Sequence, residues 1–184
     1  MRKLKLQVQM TVDGYIAGLN SEMGWVTFNW GNDIGKYVTE ITEPVDCIVL
    51  GRKLAQGFIP HWASNPEEDG AAKINSTKKV VFTKTLDRSD WDNTVLARGD
   101  LVEEITQLKK QDGQDIIAYG GATFVAALIQ QGLIDEFHLF INPAAIGNGL
   151  SIFKSLDRTQ NLTLKKSVAF TCGIVVLCYE PKRD

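Results

Sequence analysis

The alternation of short apolar runs with segments of helical period constrains this chain's fold more than any other feature. The runs "DCIVLG" (46–51), "KKVVFTKTL" (78–86) and "DIIAY" (115–119) each hold a continuous apolar stretch, as strands buried on both faces do. Helical segments stand between them. "RKLAQGF" follows the first run as a short helix. Asp100 and Glu103 have capping-box spacing ahead of Leu101, Ile105 and Leu108, which starts a second helix. "ATFVAALIQQ" follows the third run, with Gly132 as its C′ residue and Leu133 folding back. Strands separated by helices imply parallel crossovers.

The flanking segments complete the pattern. "KLKLQVQMTV" alternates with period two and predicts the first strand. Residues 12–30 carry glycines and tryptophans without a sustained period, so they form a long loop of the functional kind. From Asn32, Ile34, Tyr37, Val38 and Ile41 recur at helical spacing, and that helix ends before Pro44. Residues 60–77 read as surface loop. "DEFHLFINP" is another strand, and "LTLKKSVAF" and "GIVVLCYE" form a terminal hairpin around Thr171, Cys172 and Gly173. The expected architecture is one α/β domain over 1–184. It has a mixed, mostly parallel central sheet, helices on both faces and a C-terminal antiparallel hairpin.

Composition narrows the function classes. A net charge of -2 gives no electrostatic case for nucleic acid, which requires a basic stripe. No apolar run approaches the roughly 18 residues that span a bilayer, and the N-terminus reads as a strand and not as a signal peptide. A cytoplasmic protein with a small-molecule substrate is expected. Cys172 and Cys178 lie about 20 Å apart along an extended chain, too far for a disulfide. Cys47 reads as a small buried hydrophobe. No Cys/His spacing resembles a metal site, and His61 and His138 stand far apart in sequence, so no metal is expected.

Open α/β sheets bind ligands at the carboxyl ends of their strands. Three such ends share a character here: Gly51-Arg52-Lys53, Thr83-Lys84-Thr85, and Gly120-Gly121-Ala122-Thr123. Each offers small residues, backbone donors or cations where a phosphate would rest. Taken singly, Gly-Gly is also a tight turn and Arg-Lys a solvated surface; their joint placement points to a phosphate-rich dinucleotide. The G-x-G-x-x-G fingerprint and the P-loop are both missing.

"TVDGYIAG", "LGRKLAQGF", "VVFTKTL" and "IIAYGGATFVAALIQQGLIDEFHLFINPAAIGNGLSIF" resemble the dihydrofolate-reductase-like superfamily. Within it they are most similar to the RibD C-terminal family, the riboflavin-biosynthesis reductase domain. The resemblance covers nearly the whole chain and implies a stand-alone reductase domain with NADPH as cofactor. It places Gln9 and Met10 at the nicotinamide carboxamide, and Ile16 and Ala17 over the nicotinamide face. Gly51, Arg52 and Lys53 would hold the pyrophosphate and adenosine phosphate, and Thr83 and Lys84 would flank the adenine ribose. Gly120, Gly121, Ala122, Thr123 and Phe124 would wrap the pyrophosphate at a helix start. The implied substrate is a phosphoribosylamino-uracil whose ribose is reduced to ribitol, with Lys36, Arg52 and His61 as cations for its phosphate.

The chain departs from the folate-reducing pattern. The acidic position of those enzymes falls at Gly35, with Asp33 two residues earlier as either a catalytic and substrate-binding carboxylate or the helix N-cap. Trp25 and Trp30, with Trp62, either stack a substrate ring or pack structurally. Dihydrofolate or pterin reduction is one alternative. A non-catalytic nucleotide-binding module that kept the cofactor cleft is another. The resemblance also implies a homodimer paired through "DEFHLFINPAAIG".

Overall fold

The computed structural model describes residues 1–182. Its centre is an eight-stranded sheet of order β4-β3-β2-β5-β1-β6-β8-β7. The strands are β1 (Leu4–Thr11), β2 (Val45–Gly51), β3 (Lys78–Phe82), β4 (Thr94–Ala97), β5 (Asp115–Ala118), β6 (Glu136–Asn142), β7 (Leu162–Ala169) and β8 (Val175–Pro181). Pairing is parallel from β4 through β6 and antiparallel across β6–β8 and β8–β7. This is the mixed sheet with a closing hairpin that the sequence pattern predicts.

Residue parity along the strands decides which helix lies on which face. Cys47, Val49, Ile116 and Ala118 join Leu6, Val8, Phe137 and Leu139 in one cluster with α4 (Leu101–Lys110) and α5 (Ala122–Gln130). Ile48, Leu50, Val81 and Ile117 point to the other face, under α2 (Arg52–Ser64). On that second face, further along the sheet, α1 (Asn32–Thr42) lays Ile34, Tyr37 and Ile41 against Phe140, Phe170 and Val176. Both faces of β2 and β5 are therefore apolar, which is why their sequences read as apolar runs.

Local chemistry explains most element boundaries. Asp100 caps α4 by accepting from the Val102 and Glu103 amides. Helix α5 ends in a Schellman arrangement: Leu133 N–H bonds to the Leu128 carbonyl and Gly132 N–H to the Ile129 carbonyl. Gly132 takes φ +63° there, a conformation that costs a Cβ-bearing residue about 1–2 kcal/mol.

Four sequence readings are corrected. Helix α2 does not stop near Phe58 but runs to Ser64 through Pro60. Pro60 is tolerated because it and Gln56, whose carbonyl loses its donor, are on the solvated side. Within the stretch read as loop, α3 forms over Ala71–Ser76. Strand β4 is an additional edge strand, short and half exposed, and so without a strong period. The N-cap of α1 is Gly31, while Asp33 lies inside the first turn.

Candidate active site

At the carboxyl edge of the sheet, β3, β2 and β5 are adjacent, so the three marked strand ends become neighbours in space. Gly51 ends β2 and is the N-cap of α2; Gly121 is the N-cap of α5; neither helix start has a side-chain cap. Two sets of free helical N–H groups thus open onto one edge, each at the positive end of a helix dipole. A Cβ on Gly51 would lie 2.8 Å from Phe124 Cβ, so glycine is what lets α5 approach the end of β2. Phe124 in turn packs on Phe82, ring centroids 5.1 Å apart.

Gly120 and Gly121 both adopt positive φ, +64° and +81°. Beyond an ideal Cβ at Gly120 there is nothing within 4 Å, whereas at Gly121 Leu54 Cβ lies at 3.6 Å. The open side of the turn is therefore at Gly120. Ala122 and Phe124 are half-buried and Thr123 is exposed on the first turn of α5. Arg52 is half-buried with Nη1 3.1 Å from Gln56 Oε1, while Lys53 is exposed.

The next strand end is built differently. Thr83 is buried, and its Oγ1 accepts from the Thr85 and Leu86 amides, closing a turn. Lys84 Nζ donates to the Arg98 and Gly99 carbonyls at 2.8 Å each. Lys84 thus ties the rim to the segment just before α4, and Thr83 shapes the turn.

On the other side, β1 ends beside β6, and the long loop returns over that end. Asn142, wholly buried, is its anchor. Its Nδ2 donates to Gln9 Oε1 at 2.8 Å and the Phe140 carbonyl at 3.0 Å, and its Oδ1 accepts from Thr27 N–H at 2.9 Å. Met10 is buried next to Gln9. Ile16 and Ala17 are buried too, held by Ile16 N–H to the Leu150 carbonyl and Leu150 N–H to the Ala17 carbonyl. A Cβ on Gly149 would collide with the Ala17 carbonyl oxygen, so the second glycine of "GNG" permits this contact. Asp13 accepts from the Ile146 and Gly147 amides. Hydrogen bonding, from Thr11 first and then from these amides, keeps its carboxyl below the usual range. Asp13, Asn142 and Gly149 are residues the sequence reading did not single out. The signal was the buried Asn in "INP" and the paired glycines after it.

Asp33 sits at the rim, but its carboxylate is occupied. Oδ2 accepts from Thr171 N–H and Oγ1 at 3.0 Å each, and Oδ1 accepts from Ile34 N–H at 2.9 Å. These donors, the Thr171 amide foremost, hold its carboxyl below the usual value, so it clamps α1 to the β7–β8 turn as an anion. At Gly35 an ideal Cβ meets nothing within 4 Å; the folate-type acid position faces open space.

The remaining candidates separate. Trp30 stacks on Phe140 at 6.2 Å and donates Nε1–H to the Thr27 carbonyl, so it seals the core under α1. Trp25 Nε1 is buried and has no acceptor. Trp62 packs on Phe58 at the far end of α2, where His61 pairs with Glu68 at 3.2 Å. Neither reaches the carboxyl edge, because α2 rises about 13–14 Å between Arg52 and His61. Lys36 is exposed near the start of α1. The apolar "DEFHLFI" packs inside the protomer: β6 lies between β1 and β8 with Phe137 and Phe140 fully buried.

Away from this edge, cross-strand pairing assembles one group that sequence spacing hid. Glu136 and His138 on β6 and Cys178 on β8 bring one ligand-type atom each within 4.8 Å of the others. No described helix is long and apolar enough to cross a membrane.

Comparison with known proteins bears on the family and the fold. The model of the RibD C-terminal domain family matches residues 2–176. The Bacillus subtilis (strain 168) protein YyaP is 31% identical over 182 residues, covering 97% of this chain and 94% of its own. A Shewanella sp. PV-4 protein named for riboflavin biosynthesis superposes with a TM-score of 0.75 at 21% identity, covering all of both chains. Enterococcus faecalis dihydrofolate reductase, solved with NADP(H), superposes with a TM-score of 0.67 at 15% identity, covering 98% of this chain and 97% of that one. The last two show a shared dihydrofolate-reductase-like fold.

Proposed function

The chain belongs to the RibD C-terminal domain family, and on that premise we propose that it is an NADPH-dependent reductase of a small heterocyclic substrate. The class most like the family is a phosphoribosylamino-uracil whose ribose is reduced. The observation that carries this reading is the pair of glycine-capped helix starts, α2 and α5, at adjacent strand ends. Two bare helix N-termini side by side suit a pyrophosphate.

The bound cofactor supplies the hydride. The chain's part is binding, orientation and exclusion of water. The N–H groups from Gly51 and Gly121 onward face the pyrophosphate, with Gly120 leaving room for it. Arg52 and Lys53 are the cations for the adenosine phosphate, since Lys84 is tied to carbonyls. Gln9, Met10, Ile16 and Ala17 form the wall at the nicotinamide end, the loop held down by Asn142 and Asp13. Lys36 is the exposed cation near the start of α1 available to a substrate phosphate. Reduction of a C=N or C=O bond also needs one proton. Asp33 is held ionised by its Thr171 and Ile34 donors, so it is not the source of that proton.

A second reading is favoured by the same two residues: with no carboxylic acid at Gly35 and an engaged Asp33, the cleft binds nucleotide without turnover. Titrating NADPH while following tryptophan fluorescence, then NADPH oxidation with pyrimidine, pterin and carbonyl panels, separates the two. Saturable binding with oxidation of a phosphoribosylamino-pyrimidine supports the reductase. Binding without oxidation across all panels supports the module, and absence of binding overturns both.

A further inference from the structure

The face of the sheet under α1 is unusual for a core. Lys5, Gln7, Glu136, His138 and Cys178 project there in register, Gln7 opposite His138 and His138 opposite Cys178. His138 is 3% exposed, Cys178 7% and Gln7 9%. Buried polar groups persist when they satisfy one another or a ligand. Most do here: His138 Nε2 lies 2.6 Å from Glu136 Oε1, His138 Nδ1 lies 2.8 Å from the Tyr37 hydroxyl, and Glu136 Oε2 pairs with Lys3 at 3.3 Å. Gln7 Oε1 is buried beside them and accepts from nothing.

We propose that Glu136, His138 and Cys178 form a divalent transition-metal site of the zinc class. A carboxylate oxygen, an imidazole nitrogen and a thiolate are the donor types that such an ion takes, and three protein ligands leave a fourth position for water. The spacing comes from the sheet: Glu136 and His138 are i, i+2 on one strand, and Cys178 stands directly across from His138. Their donor atoms lie within 4.8 Å of one another. A tetrahedral ion needs ligand atoms about 3–4 Å apart given bonds of roughly 2.0–2.3 Å, so rotamer adjustment suffices. All three residues line one cavity of about 350 Å³, together with Tyr37, Lys166 and Glu180 among others.

The supporting shell is in place. Tyr37 holds the second ring nitrogen of His138, and Lys3 holds the second oxygen of Glu136, as outer partners of metal ligands do. A metal-bound water is a donor of the kind Gln7 Oε1 lacks. Binding replaces the thiol proton of Cys178 and the Nε2 proton of His138. One proton passes to Nδ1, facing the Tyr37 oxygen, and one leaves to solvent. The ion's two charges are balanced by thiolate and carboxylate.

The test is titration of the full chain with Co2+ and Zn2+, reading the cobalt–thiolate charge-transfer band and binding stoichiometry. One Co2+ per chain with that band, displaced by Zn2+, is expected. Cys178→Ser should remove the band while Cys172→Ser and Cys47→Ser keep it; circular dichroism checks that each variant is folded. Tyr37→Phe should retain the band and weaken binding about tenfold. Absence of stoichiometric binding, or a band that survives Cys178→Ser, overturns the proposal. So does a band lost in Cys172→Ser.

Discussion

Replacing Asn142 by alanine should loosen the long loop before it loosens the fold. The side chain is wholly buried and makes three close hydrogen bonds, to Gln9 Oε1, the Phe140 carbonyl and Thr27 N–H. Each bond is worth about 1 kcal/mol net, and groups left buried without partners add to the loss. The expected destabilisation is about 2–4 kcal/mol. It should be uneven, because the Phe140 carbonyl belongs to the sheet ladder whereas Thr27 has only Asn142 to tie its amide to β6. Native-state hydrogen exchange tests this directly. The Thr27 amide should exchange faster by about 2 kcal/mol more than amides of β5 or β1, once the global change from urea unfolding is subtracted. Asn142→Asp keeps the acceptor for Thr27 and loses the donor to Gln9, so it should leave Thr27 protected while still lowering global stability. A global loss below about 1 kcal/mol, or equal exchange increases at Thr27 and in β5, would refute the idea that Asn142 anchors the loop.

The other expectations concern charge and the cofactor edge. Hydrogen bonding from His138 holds Glu136 down to about 2 from an ordinary 4.5. Its contribution is present above pH 4.5 and is lost as pH falls toward 2; Glu136→Gln should flatten the stability profile in that window by on the order of 3 kcal/mol, read by urea unfolding against pH. Arg52→Ala should weaken NADPH about tenfold and NADH less if Arg52 meets the extra phosphate; equal losses in fluorescence titration would place it at the pyrophosphate instead. Gly120→Ala adds a methyl into open space at φ +64°, costing about 1–2 kcal/mol of stability and a larger factor in NADPH affinity. An unchanged affinity would move the pyrophosphate elsewhere. Gly121→Val is a poorer probe, since φ +81° strains a β-branched residue in the fold itself.

Most of the strands were readable because burial on both faces writes itself as continuous apolar runs. "CIVL", "KVVF" and "DIIA" became β2, β3 and β5 for that reason. Signals of single residues were readable too, as at Asp100 and Gly132. What failed were elements without a strong period, the six-residue α3 and the four-residue β4. Helix α2 was cut short because Pro60 marks a stop unless its turn faces solvent. At the edge itself, Gly51, Gly120 and Gly121 were visible as glycines, and Arg52 and Lys53 as cations beside them. The hydrogen bonds of Thr83, Lys84 and Asp33 were not, since what decides them is which backbone groups lie across from their side chains.

The sequence by itself determined the layers and the marked strand ends, because periodicity and turn chemistry act over a few residues. Only the tertiary structure decided which polar groups are free. It turned Asp33 into a clamp on Thr171 and Lys84 into a tie to Arg98 and Gly99. It made "EFHLFIN" an interior strand carrying Glu136, His138 and Asn142 on one face. Cys178 lies forty residues beyond His138 in the chain and directly across from it in the sheet. Spacing along a chain cannot show such a pair, because antiparallel register makes neighbours of residues that share no local pattern.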